Sequence, residues 1–345
     1  MCSPRLPHAG AVSAAQNATA PAAPADTRQD APKNPPPHFR QLAVLGCGLM
    51  GGSFALAARA AGLVQRVVGY ARSPQTLHRA RELGVIDAAA PSAPLAVEGA
   101  DLILLAVPVA ATAATLQAIR DRVSPGALVM DVGSTKGNVV AAAQQHFADR
   151  LAQFVPAHPI AGKERAGVEH ASAELYRGSQ VILTPLPQTD PAQTRWASAL
   201  WQALGARVRT MPPEAHDAAY AAVSHLPHLL AFAAVRALAQ QPTAAEWLGL
   251  AGPGFRDFTR IAASDPDVWR DILLANREQV LRQAQAFRAA LDAFEATLQA
   301  GDAAALHALI DHACHIRTAW AAGAYAAAPT SQTPCTEPPS STSPR

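Results

Sequence analysis

The sequence predicts an α/β fold in which a doubly wound, mostly parallel sheet precedes an all-helical half. Between 41 and about 185, short β-like runs alternate with helical stretches, which is the pattern of a parallel sheet. A glycine-rich turn joins the first of these runs to the first helical stretch. From about 190 onward the chain carries long helical segments with few β-branched runs.

The predicted elements follow one another in a regular order. The strands are QLAVLG, RVVGYA, DLILLAVP and ALVMDVG, with FVPAHP and QVILTP as two further strands. Between them lie the Ala-rich helix after Gly51, then LHRARELG and TAATLQAIRDRV. The helical half contains TRWASALWQAL, EAHDAAYAAVSHLPHLLAFAAVRALA and VWRDILLANREQVLRQAQAFRAALDAFEATLQA. The last of these is amphipathic, as expected of a helix with one packed face.

Proline is unusually common and is concentrated near the chain ends. The 345 residues include 29 Pro and 21 Gly, and a chain of this length suggests about two domains. Residues 1–38 and 328–345 are rich in Pro and small polar residues, and we expect them to be disordered. The predicted domains are therefore 39–188, the sheet-forming half, and 189–327, the helical half.

The charge balance and the cysteines exclude several classes of partner. Lys and Arg together number 28 and Asp and Glu 26, which gives no support to a nucleic-acid or acidic-membrane partner. No stretch reaches the roughly 18 to 20 strongly apolar residues that a membrane span needs. The four cysteines form no Cys-x-x-Cys pair, so we expect neither a disulfide framework nor a metal site. A reducing cytoplasm fits this cysteine usage best.

The glycine-rich turn is the strongest local motif, because it follows a strand and opens a helix. It reads Gly46-Cys47-Gly48-Leu49-Met50-Gly51. The three glycines permit a tight turn, a close approach of backbone to pyrophosphate, and close packing of helix on strand. The start of the helix then faces the phosphates with its partial positive charge. We therefore predict a Rossmann-type dinucleotide site, the alternative being a glycine-rich turn that binds nothing.

The end of the second strand reports on the type of cofactor. A carboxylate is expected there to bind the ribose hydroxyls of NAD, but the chain reads Gly69-Tyr70-Ala71-Arg72-Ser73. Arg72 can pair with a 2′-phosphate, so we expect NADP to be preferred over NAD. The alternative is that Arg72 is solvated and NAD is used without an acidic partner.

The ends of the third and fourth strands add further candidates. Val107 and Pro108 close the third strand and would pass under the ribose and nicotinamide, although Pro108 is also simply a strand terminator. Ser134 follows the fourth strand in Asp131-Val132-Gly133-Ser134. Ligands of open α/β sheets bind beyond the carboxyl ends of strands, so Ser134 lies where chemistry is expected.

Three other segments concentrate unusual residues. They are HPIAGKE at 158–164, SHLPH at 224–228 and GFRDFTRIA at 254–262. Each also has a purely structural interpretation. A His at a strand end is often only a hydrogen-bonding group, His225 and His228 could be a metal pair without a third ligand, and Arg260 could bridge helices.

Taken together, these motifs resemble the prephenate/arogenate (cyclohexadienyl) dehydrogenase family. The match comprises the glycine-rich turn, DVGSTK, HPIAGKE, SHLPH and GFRDFTRIA, in that order, over roughly 41–320. The resemblance implies oxidative decarboxylation of prephenate to 4-hydroxyphenylpyruvate or of arogenate to tyrosine. It also implies a Rossmann domain followed by a helical dimerisation domain, and hence a homodimer.

The resemblance also implies a role for each candidate residue. His158 would be the base, Ser134 would orient it, and Arg260 would anchor a substrate carboxylate. The remaining candidates would line or border the substrate pocket: Ser224, His225 and His228 inside it, Glu164 at its mouth, Trp269 from the second subunit, and Asp257 as support. Lys163 either adds a cation near the substrate side chain or points to solvent.

Two alternatives to this function come from other classes of protein. A β-hydroxyacid or imine-reductase-type dehydrogenase shares the layout but needs a helical Lys, and no Lys follows Lys163. A catalytically silent nucleotide-binding protein is the other, and the presence of His158, Ser134 and Arg260 argues against it. The preference between prephenate and arogenate stays open, because no motif reports what faces the substrate side chain.

Overall fold

The computed structural model describes residues 37–162 and 165–324 of the chain. These residues belong to one structural unit, which begins at Pro36. The N-terminal extension predicted at 1–38, apart from residues 37 and 38, and the tail predicted at 328–345 lie outside the described residues.

A six-stranded parallel sheet forms the centre of the first half, with the strand order β3-β2-β1-β4-β5-β6. Its strands are β1 (Phe39–Leu45), β2 (Val64–Tyr70), β3 (Ala88–Ala89), β4 (Leu102–Leu105), β5 (Leu128–Asp131) and β6 (Phe154–Val155). The order reverses between β1 and β4, which is the switch point at which such sheets bind ligands. The predicted doubly wound fold is confirmed.

Helices cover both faces of this sheet, because successive strand residues point to opposite sides. Leu42 and Val44 enter one apolar core, whereas Ala43 and Leu45 enter the other. The helices are α1 (Leu49–Ala60), α2 (Pro74–Glu82), α3 (Ala93–Val97), α4 (Thr112–Ile119), α5 (Gly137–His146) and α6 (Pro191–Ala203).

A second, three-stranded sheet follows the first. It contains β7 (Ala157–Ile160), antiparallel to β8 (Gln180–Leu183), which is parallel to β9 (Arg207–Thr210). The prediction of FVPAHP as one strand is wrong, because Pro156 separates β6 from β7. A proline has no N–H to donate to a strand ladder, and the carbonyl of Pro156 instead accepts from the N–H of Thr184 at 2.9 Å. Strand β9 lies beyond the domain boundary at 188, which stays a prediction.

The helical half is interrupted at two places where the sequence predicts continuous helices. Its helices are α7 (Pro213–Tyr220), α8 (Leu226–Ala239), α9 (Ala244–Gly249), α10 (Pro253–Thr259), α11 (Pro266–Ala275), α12 (Arg277–Ala300) and α13 (Ala303–Ala321). A π-helical turn, Ala221–His225, separates α7 from α8. Asn276 separates α11 from α12, with φ −110° and ψ 26°. Both interruptions carry polar side chains of the candidate site.

One helical segment, Pro213–Ala239, is long and apolar enough to cross a membrane by length and composition alone, with a mean hydropathy of 1.4. The sequence-based expectation that no stretch would qualify is therefore wrong on those two criteria. The segment comprises α7, the π-helical turn and α8. It carries the buried residues His216 and Asp217, and Asp217 binds the backbone of the sheet-forming half.

Candidate active site

The glycine-rich turn lies at the carboxyl end of β1 and leads directly into α1. Gly46 has a φ of +104°, and a Cβ there would stand 2.3 Å from the carbonyl oxygen of Ala106. A Cβ on Gly51 would stand 2.1 Å from the carbonyl oxygen of Gly46. A Cβ on Gly48, by contrast, would meet nothing within 4 Å. Gly48 caps α1 without a side chain, so the open backbone fits a dinucleotide pyrophosphate.

The other residues of the turn contribute through their backbone or by packing. Leu49 and Met50 begin α1 and are partly buried, and the hydroxyl of Tyr176 donates to the carbonyl of Met50 at 2.7 Å. Cys47 is fully buried, and its Sγ lies 3.7 Å from the carbonyl oxygen of Tyr70. Burial raises the pKa of the Cys47 thiol to about 12. Cys47 can therefore face a cofactor only with its backbone.

The predicted ribose-binding residues follow β2. Ala71 and Ser73 are partly buried, whereas Arg72 is exposed. Ser73 caps α2, since its hydroxyl accepts from the N–H of Thr76 at 3.3 Å. This strand end thus offers a cation and a hydroxyl in place of a carboxylate.

The strand ends β4 and β5 complete the cofactor edge of the sheet. Val107 and Pro108 follow β4 at the point where Ala106 approaches Gly46. Ser134 is partly exposed in the loop between β5 and α5. Because parallel strands end at one edge of a sheet, these segments lie at the same edge as the glycine-rich turn.

A buried ion pair anchors the start of β7 to the end of β5. The Nζ atom of Lys136 lies 2.5 Å from Oδ2 of Asp131 and 2.7 Å from the carbonyl oxygen of Ala157. Oδ1 of Asp131 accepts from the N–H of Ala157 at 3.1 Å. Burial lowers the pKa of Lys136, and the carboxylate of Asp131 opposes that shift. The residue that follows Ala157 is His158, so the ion pair holds the backbone immediately before it.

His158, His216 and Asp217 form a continuous hydrogen-bonded line. Nδ1 of His158 lies 2.8 Å from Nε2 of His216, and Nδ1 of His216 lies 2.8 Å from Oδ1 of Asp217. The ring of Tyr220 packs against both imidazoles, with centroid distances of 4.9 and 4.5 Å. Burial, assisted by neighbouring charges, lowers the pKa of His158 well below its usual value. The imidazole of His158 is therefore neutral at pH 7.

The carboxylate of Asp217 also holds the start of α5. It accepts from the backbone N–H groups of Lys136 and Gly137, both at 2.8 Å. Burial acts to raise the pKa of Asp217, but the hydrogen bonds from His216, Lys136 and Gly137 outweigh burial and lower it. Asp217 is therefore ionised and links the helical half to the sheet-forming half.

Asn276 connects Asp217 to the π-helical turn. Its Nδ2 donates to the carbonyl oxygen of Asp217 at 2.8 Å and lies 3.1 Å from Nδ1 of His225. Burial lowers the pKa of His225 to about 4. His225 is thus a second neutral imidazole, and its position is set by the break between α11 and α12.

His228 and Trp269 stack on each other beside this turn. Their rings are 3.5 Å apart between centroids and inclined by 19°. Nδ1 of His228 donates a hydrogen bond to the carbonyl oxygen of Ser224 at 2.9 Å. Trp269 thus contacts a predicted pocket residue of its own chain, and its contribution to the pocket of a second subunit stays a prediction. The described residues contain no group of three possible metal ligands around these histidines.

The remaining predicted site residues have different outcomes. Arg260 begins a 3₁₀ turn after α10, and after burial its charge is a cause of the lowered pKa of His228. Asp257 is exposed on α10. Within the described residues no hydrogen bond or ion pair joins Asp257 to Arg260 or to His228. Lys163 and Glu164 lie outside the described residues.

Several residues of the network were not singled out from the sequence. They are Lys136, His216, Asp217 and Asn276, and all four are buried. Two signals were available: Lys136 ends the motif DVGSTK, and the His-Asp pair in EAHDAAY interrupts an apolar helix shortly before SHLPH. Asn276 carried no signal, because a lone Asn in an amphipathic helical pattern is ordinarily exposed.

Two family models match the chain. "Prephenate dehydrogenase, nucleotide-binding domain" matches residues 54–210, and "Prephenate dehydrogenase, dimerization domain" matches residues 212–312. The chain belongs to the prephenate dehydrogenase family. As a member of that family it is an NAD(P)-dependent dehydrogenase, and the family resemblance of its motifs is confirmed.

Similar proteins span the same two halves. The cyclohexadienyl dehydrogenase of Zymomonas mobilis is 34% identical over 245 residues, covering 70% of this chain and 83% of that protein. The solved prephenate dehydrogenase of Aquifex aeolicus, in complex with hydroxyphenyl propionate and NAD+, has a TM-score of 0.76 at 34% identity, covering 81% of this chain and 97% of that one. Synechocystis arogenate dehydrogenase has a TM-score of 0.71 at 28% identity, covering 81% and 99%.

The glycines of the turn predict two different mutant phenotypes. We expect Gly51→Ala to lower the free energy of unfolding by about 1–3 kcal/mol, because its Cβ would overlap the backbone of Gly46. Gly48→Ala should fold normally, yet bind NAD(P)H more weakly, because its Cβ occupies the open side. Urea unfolding and the quenching or enhancement of NAD(P)H fluorescence measure the two effects. Unchanged nucleotide affinity in Gly48→Ala would remove the turn from the cofactor site.

Proposed function

We propose that this chain catalyses the NAD(P)+-dependent oxidative decarboxylation of prephenate to 4-hydroxyphenylpyruvate, of arogenate to tyrosine, or of both. The observation that carries the proposal is the neutral imidazole of His158, anchored next to the end of β5. Membership of the prephenate dehydrogenase family supports it, as do the names of the similar proteins. The two substrates differ in a keto or amino group on the side chain, and both belong to the proposal.

The chemistry requires a base at one atom. The ring carbon that bears the hydroxyl loses a hydride, and the hydroxyl loses its proton as a carbonyl forms. When bound, NAD(P)+ supplies the hydride acceptor. The ring carboxylate then leaves as carbon dioxide, its electron pair enters the ring, and the carbonyl oxygen becomes a phenolate that takes up a proton. Nε2 of His158 takes the hydroxyl proton in this scheme, because Nδ1 faces His216.

The other site residues bind and orient the substrate. The guanidinium of Arg260 would hold a substrate carboxylate in bidentate fashion, and its charge acts on His228. Ser134 would orient the base and the substrate hydroxyl, while Ser224, His225, His228 and Trp269 would line the pocket. Lys163, Glu164 and Asp257 remain proposed members of its rim.

We infer that two protomers associate through the helical half. The match to a dimerization domain over 212–312 supports this inference. So does the concentration of well-exposed large apolar side chains in the helical half, which include Val223, Leu250, Leu274, Leu281, Leu298 and Trp320. Sedimentation velocity should give a dimer, and a monomer at micromolar concentration would contradict the inference.

We also propose that the protein is located in the cytoplasm. The described cysteines support a reducing compartment, since Cys47 and Cys314 are both free thiols. Cell fractionation that recovers the protein elsewhere would contradict this part.

His158→Asn should reduce kcat by about 10²- to 10⁴-fold, because an amide cannot accept the hydroxyl proton. NAD(P)H formation from prephenate and arogenate, each with NAD+ and NADP+, measures the effect. In the wild type, kcat/KM should stay constant as the pH falls through the usual pKa of His. It should decrease only at the lower pH at which His158 becomes protonated. Near-normal kcat in the variant at every pH would exclude His158 as the base. No turnover by the wild type with any pair would favour the silent nucleotide-binding protein.

We further propose that NADP is preferred, because Arg72 is exposed at the strand end that lacks a carboxylate. Arg72→Ala should lower kcat/KM for NADP+ roughly 10- to 100-fold, the loss of one charge-assisted contact, and leave NAD+ nearly unaffected. Arg66→Ala removes an exposed Arg earlier on the same strand and is the control. A wild-type preference for NAD+, or equal losses with both cofactors, would contradict the proposal.

A further inference from the structure

We propose that His216 and Asp217 are positioning residues that fix the tautomer of His158, so that Nε2 of His158 is the atom left free to accept the substrate proton. This proposal rests on the proposed role of His158 as the base. It assigns a function to a His-Asp pair that lies on α7, outside the motifs that identify the family.

The first step concerns Asp217, which can only accept hydrogen bonds when ionised. Its Oδ1 accepts from the N–H of Lys136 and its Oδ2 from the N–H of Gly137, both at 2.8 Å. These contacts at the start of α5 hold it as a carboxylate. The ring atom that faces Oδ1, which is Nδ1 of His216, must therefore carry a proton.

The second step concerns which ring nitrogen of His216 carries the proton. A neutral imidazole has one N–H, and Asp217 places it on Nδ1. Burial keeps His216 neutral, since it lowers the pKa of that ring against the opposing effect of Asp217. Nε2 of His216 therefore has a lone pair and can only accept.

The third step follows at the 2.8 Å contact between the two imidazoles. Because Nε2 of His216 accepts, Nδ1 of His158 must donate, and the single proton of neutral His158 lies on Nδ1. Nε2 of His158 is then unprotonated. The opposite tautomer would leave two lone pairs facing each other at a partly buried contact and would present an N–H to the substrate hydroxyl.

The groups around the two rings keep this arrangement in place. Tyr220 packs edge-on against His158 and in a tilted arrangement against His216, which limits rotation of both rings. Lys136 directs its Nζ to Asp131 and to the carbonyl of Ala157, which holds it on the backbone before His158. His225 contributes a neutral ring that is bonded to Asn276. When His158 takes up the proton, its Nδ1–H still has His216 as acceptor.

The decisive variants distinguish loss of the hydrogen-bond acceptor Nε2 of His216 from loss of the side-chain volume of His216. His216→Leu removes the acceptor, whereas the carbonyl oxygen of His216→Gln can take the place of Nε2. We expect kcat to fall at least tenfold in His216→Leu at every pH on the plateau, with KM within threefold of the wild type. His216→Gln should recover at least threefold of that loss. His78→Leu, an exposed His on α2, is the control and should leave kcat unchanged.

A readout independent of turnover tests the tautomer itself. The ¹⁵N spectrum of histidine-labelled protein, with His158 assigned by its absence in His158→Asn, reports which ring nitrogen carries the proton. We expect Nδ1 in the wild type and a mixture of both tautomers in His216→Leu. Asp217→Asn should shift His158 toward Nε2–H, and if that variant fails to fold, the two His216 variants carry the test alone. NAD(P)H binding and thermal unfolding show that each variant is folded.

Several results would overturn the proposal. His158 protonated on Nε2 in the wild type contradicts it whether or not turnover is detected, so the test does not depend on the proposed reaction. A kcat for His216→Leu within twofold of the wild type also contradicts it. So does a loss confined to KM, or an equal loss in His216→Gln and His216→Leu. Absence of turnover in the wild type together with the expected spectrum would reject the proposed reaction but retain the tautomer assignment.

Discussion

The carboxylate of Asp217 joins the two halves of the chain, and the candidate site depends on that junction. One oxygen binds both His216 and the backbone of Lys136, while the other binds Gly137. The same residue offers its own carbonyl to Asn276. Each hydrogen bond to a charged group of this kind contributes about 1.5–3 kcal/mol, so the junction is coupled to the packing of α5, α7 and α12. The helical half thus contacts the base through His216 and Tyr220, and Asp217 holds His216 against the start of α5.

Burial, rather than added charge, sets the electrostatics of the site. The rings of His158, His216 and His225 all have lowered pKa values, and burial is the largest cause for each. A set of neutral imidazoles can accept and relay hydrogen bonds without repelling the guanidinium of Arg260. The near balance of 28 basic and 26 acidic residues over the whole chain is compatible with this arrangement. In the proposed function, recognition of the substrate carboxylates would depend on placed cations such as Arg260 instead of the net charge.

Much of the first half was predictable because its signals are local. The strand-turn-helix order around Gly46, Gly48 and Gly51 and the alternation of strands with helices require only short-range patterns. The sequence does not show that the strand breaks at Pro156, because Pro159 in the same segment lies inside β7, at the edge of the second sheet. The second sheet itself depends on pairing with distant strands. The roles of His216 and Asn276 depend on contacts with residues far away in the chain. The stacking of Trp269 on His228 depends likewise on helix packing that no periodicity reports.

The π-helical turn Ala221–His225 has a consequence for how this region can vary. His225 follows His216 by nine positions, and at about 100° per residue an unbroken α-helix would point the two rings in opposite directions. The π-helical turn has more residues per turn than an α-helix, and it reduces the angle between the two rings by about the rotation of one α-helical residue. Both imidazoles therefore contribute to the environment of His158. The number of residues in this segment therefore sets the direction in which the later side chains point. Replacing a side chain within it alters one contact, whereas inserting or deleting a single residue would rotate every downstream group of the pocket, including His228, away from the base.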